Sequence, residues 1–270
     1  MRRATYFFLA VALLPWLAAE GKAGFISSRS TLNAALINPV TEGFESNLIP
    51  IPSNKGPFLL DTTAGVTTAV TQLNNSTVIH SQGNPNLPNG TYGPGLVLPG
   101  ATYSSKLATG ETALGPLQWD GTNYRQATSR KLDAAQNKTI NISFTPNAAG
   151  FGVDLATFGN VGATTFAPLQ AQITVYDQFN TVLGTETVTL NVDSGGAPIT
   201  TFVGFLGSNA NQKISSVDIT SLPTTGQNIE FSPLIDNVEY STSAIPEPAS
   251  ILSAGVAIAG LLFYRLRKRK

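Results

Sequence analysis

Across the central part of this chain, apolar residues recur at every second position over short stretches, and no long segment repeats them with a helical period. That alternation is the mark of half-buried strands. In Thr139–Thr145, Ile140, Ile142 and Phe144 share one face while Asn141 and Ser143 share the other. Phe151–Phe158 aligns Phe151, Val153 and Leu155; Gln172–Tyr176 aligns Ile173 and Val175; Glu186–Val192 aligns Val188, Leu190 and Val192. Asp177-Gln178-Phe179-Asn180 has Asp and Asn at its ends and reads as a β-turn, with Thr181–Leu183 starting the return strand. Phe202–Leu206, Ile214–Ile219 and Leu234–Tyr240 are three further expected strands. Gly207-Ser208-Asn209 and Pro223-Thr224-Thr225-Gly226 separate them. Short, evenly spaced strands with this punctuation predict an all-β fold, an antiparallel β-sandwich of jelly-roll-like type. Ser81–Gly100 holds five Gly and four Pro and is expected to be one long loop.

The two ends break the pattern. Arg2 and Arg3 precede an apolar run from Tyr6 to Leu17, interrupted by Pro15 and followed by small residues. This reads as a secretory signal peptide over residues 1–23 with a signal helix, cut after Ala19 or Ala23. The alternative, an N-terminal membrane anchor, needs about 20 apolar residues and the run is shorter. Residues 24–243 then form the exported domain. From Ala244 the chain reads A-I-P-E-P-A-S, then an uncharged apolar run from Ala249 to Tyr264, then R-L-R-K-R-K. Those 16 residues would make a helix of about 24 Å. That length is marginal against a hydrocarbon core of roughly 30 Å. The basic end is held cytoplasmic by the positive-inside rule.

Charge changes meaning once the ends are set aside. The whole chain is balanced at 16 basic and 16 acidic residues, but the domain between the ends keeps 8 basic and 14 acidic, about −6. Such a domain does not bind nucleic acid through phosphate neutralisation. Cysteine is absent, which removes disulfides, thiolate metal sites and Cys nucleophiles. The single histidine, His80, lies in a polar stretch and reads as a surface residue. There is no G-x-S-x-G, no H-E-x-x-H and no phosphate-cradling loop, and no pair of acids stands out by context. The chain therefore reads as a non-enzyme, with a secreted hydrolase as the least favoured alternative.

Residues 244–270, with Pro246-Glu247-Pro248, the apolar run and the Arg/Lys tail in that order, resemble the PEP-CTERM sorting signal. The resemblance implies recognition by an exosortase-type membrane transpeptidase and cleavage near the motif. It also implies delivery to the envelope, outer surface or extracellular matrix of a Gram-negative bacterium, with exopolysaccharide as a candidate partner. Before processing, the C-terminal hydrophobic helix would hold the chain in the membrane; a plain C-terminal anchor is the alternative. The middle is similar to the exported β domains of that group through several phrases: Gly43-Phe44-Glu45, Gly150-Phe151-Gly152-Val153-Asp154, Ile173–Asp177, Phe202-Val203-Gly204-Phe205, Ile214–Ile219 and Asp236–Tyr240. These imply a lectin-type or carbohydrate-binding β-sandwich. In jelly-roll carbohydrate-binding modules the first and last of these phrases lie side by side around a structural Ca²⁺, which would assign Glu45, Asp236 and Asn237 as its ligands. The chain requires no other cofactor. For a glycan, Trp119 and Tyr124, within W-D-G-T-N-Y, offer aromatic, carboxylate and amide groups together, with Tyr92 and Tyr103 as further aromatics. Trp119 as a core residue is the competing reading.

Overall fold

In this computed structural model the described residues are 23–45, 48, 72–82, 88–105, 117–118, 131–133, 139–157, 169–192, 198–207, 212–222 and 233–244. The expected signal helix, the Pro-Glu-Pro motif, the C-terminal hydrophobic helix, and Trp119 and Tyr124 lie outside them. Among the described residues no helix is long and apolar enough to cross a membrane.

Two large antiparallel sheets, a small two-stranded one and one short helix make up the described fold. The strands are β1 (Gly24–Ile26), β2 (Val40–Glu42), β3 (Gln72–Leu73), β4 (Ile79–Ser81), β5 (Gly90–Tyr92), β6 (Ala101–Ser105), β7 (Leu117–Gln118) and β8 (Lys131–Asp133). They continue with β9 (Thr139–Ala148), β10 (Gly150–Ala156), β11 (Leu169–Asp177), β12 (Val182–Leu190), β13 (Thr201–Leu206), β14 (Ile214–Leu222) and β15 (Leu234–Ser241). The helix α1 spans Arg29–Ala35. The first sheet runs β1-β13-β10-β15-β8-β7, with β2 also on β15; the second runs β12-β11-β14-β9-β6-β3.

The alternation seen in the sequence is the reason these sheets face each other. Phe151, Val153, Leu155, Val203, Phe205, Val238 and Tyr240 of the first sheet share one buried core with Ile140, Ile142, Phe144, Ile173, Val175, Val217 and Ile219 of the second. Both sheets thus put every second residue inward, which makes the architecture an all-β sandwich. The expected turn at Asp177–Asn180 joins β11 to β12. The Asp177 carboxylate accepts the N–H groups of Phe179 and Thr181, both at 2.8 Å. Asn180 takes a left-handed φ of 60° there, a conformation Asn tolerates better than most residues.

The stretch Ser81–Gly100 departs from the expected single loop. Gly90–Tyr92 forms β5, which pairs with β4 in a small two-stranded sheet. Leu96 and Val97 are buried in the common core. Gly and Pro density hid the two apolar side chains that pin this stretch down. His80 sits on β4, exposed, with its Nδ1 3.1 Å from the Thr91 hydroxyl.

Helix α1 has no strong sequence signal. Ser28 caps it by accepting the Thr31 N–H at 3.4 Å. Seven residues would not hold a helix alone, so burial of Leu32 must carry it. Leu32 is fully buried on the outer face of the first sheet. The sheet makes room with glycine: a Cβ on Gly152 would meet Leu32 Cδ2 at 2.7 Å and Phe202 Cε2 at 2.8 Å. One on Gly150 would meet Leu36 Cδ2 at 2.9 Å.

Candidate functional site

The strand that leads into Gly43-Phe44-Glu45 lies beside the strand that carries Asp236 and Asn237. β2 pairs with β15 in the register Glu42↔Val238, Thr41↔Glu239 and Val40↔Tyr240. On the same side of β15, β8 takes up Leu234 and Ile235. Asp236 and Asn237 therefore fall at the break between two neighbours. The break has causes on both chains. On β15, Asn237 adopts a φ of 46°. The β10–β15 register shifts beside it, so Asn237 and Val238 oppose Val153 alone, as in a β-bulge. On the other chain, Phe44 adopts a φ of 57° and turns the segment away from the ladder.

A left-handed phenylalanine is strained unless its surroundings determine it. Here they do. Its ring is buried, edge-on to Tyr103 with centroids 5.1 Å apart. The Glu42 carboxylate accepts the Phe44 N–H with one oxygen and the Leu98 N–H with the other. Glu42 thus staples the β2 turn to the segment carrying Leu96 and Val97. Burial raises its pKa above the ordinary carboxylate value, the Glu45 charge adds to that, and the two backbone N–H groups oppose it. Burial, and secondarily the Glu42 charge, pushes Tyr240 to about 12 and Tyr103 well above its ordinary value. Tyr240 donates its hydroxyl to the Pro99 carbonyl at 2.7 Å. The Tyr103 hydroxyl is buried without a hydrogen-bond partner among the described residues.

On the outer face, Asp154 of β10 and Asp236 of β15 stand directly opposite each other. Two opposed carboxylates repel unless a cation or donor separates them. Arg29 of α1 supplies the cation. Its guanidinium lies 2.9 Å from Asp154 Oδ1 and 2.7 Å from Glu239 Oε2, and rests 4.6 Å over the Phe202 ring. Asn237 supplies a donor: its Nδ2 reaches Asp154 Oδ2 at 2.9 Å, while its backbone N–H reaches Asp236 Oδ1 at 2.7 Å. Glu239 is almost completely buried, and its Oε1 has no partner among the described residues.

The Asn237 amide bears on a metal ligand set. With Nδ2 bonded to a carboxylate, the Oδ1 end is turned the other way, where a Cβ on Gly43 would meet it at 3.5 Å. Glu45 Cγ borders the same point at 3.8 Å. Glu45 is exposed and Asp236 is buried beside its own Asn237 N–H. Asn237 Oδ1 and Glu45 Cγ thus both border the same point beside Gly43. Asp236 adjoins them through the chain. Among the described residues no three or more His, Asp or Glu gather as a metal-binding group.

Tyr103, weighed as a glycan platform from its place in the sequence, is instead a core residue with no exposed surface. It alternates with Ala101 on the inner side of β6, a strand too short to announce its faces. Tyr92 is half-buried on β5 and donates to the Pro88 carbonyl at 2.7 Å. Sequence reasoning missed Arg29, Glu42 and Glu239. Glu239 had a signal, since it alternates with the core residues Val238 and Tyr240 around an irregular strand. Arg29 had none.

No family model matches this chain, and no curated protein matches it. Among solved structures it is similar to the native structure of a family 35 carbohydrate-binding module from Clostridium thermocellum. That likeness covers 46% of this chain and 85% of the other at 14% identity, with a TM-score of 0.26.

Proposed function

We propose that this chain is an exported, non-enzymatic β-sandwich, jelly-roll-like in type. In this reading an exosortase-type transpeptidase sorts it through Pro246-Glu247-Pro248 to the cell surface or extracellular matrix, where it associates with exopolysaccharide. The observation that carries the reading is the three-part tail: a processing motif, an uncharged apolar run of marginal length and a basic end. A segment too short to be a comfortable permanent span, with a rigid Pro-flanked motif on its outer side, suits an anchor that is later cut. The domain's chemistry is compatible with a passive role. Asp154 engages Arg29 and Asn237 with its two oxygens, Glu239 engages Arg29 with one, and Glu42 holds a backbone N–H with each of its own. These carboxylates hold the structure together.

Within the same reading, Glu45, Asp236 and Asn237 hold a structural Ca²⁺ that ties the β2 turn to β15. A rise in melting temperature on adding Ca²⁺ to chelator-treated protein, absent in Glu45→Ala, is the expected result. For the sorting step, the test replaces Pro246, Glu247 and Pro248 with alanine in the native host. The altered chain is expected to stay in the membrane fraction with its tail attached. Normal surface delivery with the tail removed would overturn the proposal.

A further inference from the structure

The most exposed large apolar side chain among the described residues is Phe179, at 77%, on the turn between β11 and β12. It is presented by a fixed frame, since the Asp177 carboxylate holds the N–H groups on either side of the ring's position. Val182, at 53%, follows it at the start of β12. Val182 opens a row that crosses the outer face of the second sheet in register: Val182↔Tyr176, Tyr176↔Ser216, Ser216↔Ser143 and Ser143↔Thr102. Tyr176, Ser216, Ser143 and Thr102 are all half-buried. Four strand spacings make this row about 19 Å long.

The row carries no ionisable group other than the Tyr176 phenol. Below it, the Ser143 hydroxyl donates to Asn141 Oδ1 at 2.9 Å. Asn141 in turn donates from Nδ2 to Asp218 Oδ1 at 2.7 Å, a bond buried within the sheet face. The Ser143 proton is thus directed along the strand to Asn141, which leaves its oxygen as an acceptor. At the tip, Gln178 is exposed, and its Oε1 is 3.5 Å from Asn147 Nδ2. An aromatic ring, amides beside it and a line of neutral hydroxyls match a polyhydroxylated chain. Such a chain offers C–H faces to the ring and hydroxyls to the rest. Two apolar side chains are too few for the apolar centre of a protein interface of about 800 Å² per partner.

We infer that a neutral polysaccharide lies across this face, with one sugar ring on Phe179 and the following sugars along the Tyr176–Ser216–Ser143 row. The inference rests on the polysaccharide association proposed above and names where it occurs. The test is affinity electrophoresis of the full chain in mild detergent. The gels are cast with hydroxyethylcellulose, xylan or galactomannan, and with alginate as the charged control. Retardation by a neutral polymer is expected, weakened about tenfold in Phe179→Ala and lost in Ser216→Lys, with unchanged melting temperatures. If wild type is retarded and both variants match it, the site lies elsewhere: this inference falls and the broader association stands. If no polymer retards the wild type, both fall. Should Phe179→Ala instead abolish self-association seen by sedimentation, the face is a protein interface and the inference is overturned.

Discussion

The two sheets of this sandwich share a core but treat their outer faces in opposite ways. The first sheet has glycines at Gly150, Gly152 and Gly204, and helix α1 sits down on them with Leu32 fully buried. Over that contact lies a charged clasp, Arg29 with Asp154 and Glu239. The second sheet carries Thr102, Ser143, Ser216 and Thr174 on its outer side, neutral and half-buried. One face uses its side chains for stability. The other carries a row of neutral hydroxyls in register, the row that the polysaccharide proposal assigns to a ligand. Charge follows the same division: the first face pairs its carboxylates with a cation, while the second hides Asp218 behind Asn141.

If the contrast is real, space should matter on the first face more than anything else. Gly152→Val places a branched side chain where even a Cβ lies under 3.0 Å from both Leu32 and Phe202. We expect it to cost about 3 kcal/mol by urea denaturation. A loss below 1 kcal/mol would mean that α1 lifts away easily and that the face is not sealed. Next in size is the clasp. Arg29→Met keeps an aliphatic stem over Phe202 but leaves Glu239, 1% exposed, without its cation. Breaking a buried pair from one side costs 3–5 kcal/mol. Arg29 is 30% exposed, so solvent screens part of that cost, and about 2 kcal/mol is expected. A neutral result would make the ion pairs ornamental.

Glu42 shows what a buried carboxylate on this sheet does without a guanidinium. Its folded pKa is raised, with burial as the chief cause. The folded state therefore holds the proton more tightly than the unfolded chain. Stability falls as pH rises from the ordinary carboxylate value of 4.5 through the folded pKa. Glu42→Gln cannot ionise. Its amide keeps one acceptor oxygen and leaves the second backbone N–H without one, so it should lie about 1–3 kcal/mol below wild type at pH 4 and close that gap toward pH 7. Denaturation curves at several pH values check this. A wild type that gains on the variant as pH rises would show that the Phe44 and Leu98 N–H groups outweigh burial.

The sequence spoke clearly about the core and poorly about the clasp, for one physical reason. Ile140, Ile142, Phe144, Phe151, Val153 and Leu155 face inward because strands alternate. A period of two is a local property that any short window displays. The turn at Asp177–Asn180 was legible for the same reason, since its side-chain hydrogen bonds span four residues. Arg29 and Glu239 are 210 residues apart, and nothing local distinguishes that arginine from a solvated one. Helix α1 is decided by the glycines beneath it, which lie on β10 and β13. Those glycines did stand out in the G-F-G-V-D and F-V-G-F phrases, but as resemblance and not as the imprint of a helix. The candidate ligand set fell between these cases: Gly43-Phe44-Glu45 and Asp236-Asn237 were recognisable, while the bulge that turns Asn237 Oδ1 toward Gly43 was not.

The smallest expected effect tests the second face directly. Thr174 lies outward on β11, flanked in register by Thr185 on one side and Asp218 on the other. Thr174→Val keeps the branched shape and removes only the hydroxyl. On a face whose hydroxyls are held for a ligand and not for the fold, stability should change by less than about 0.5 kcal/mol. Valine also suits a strand at least as well as threonine, so any loss must come from the missing hydrogen-bonding group. A loss above 1 kcal/mol in chemical denaturation would mean that this hydroxyl helps to satisfy Asp218. The second face would then serve stability just as the first does, and the division of labour between the two sheets would fail at its centre.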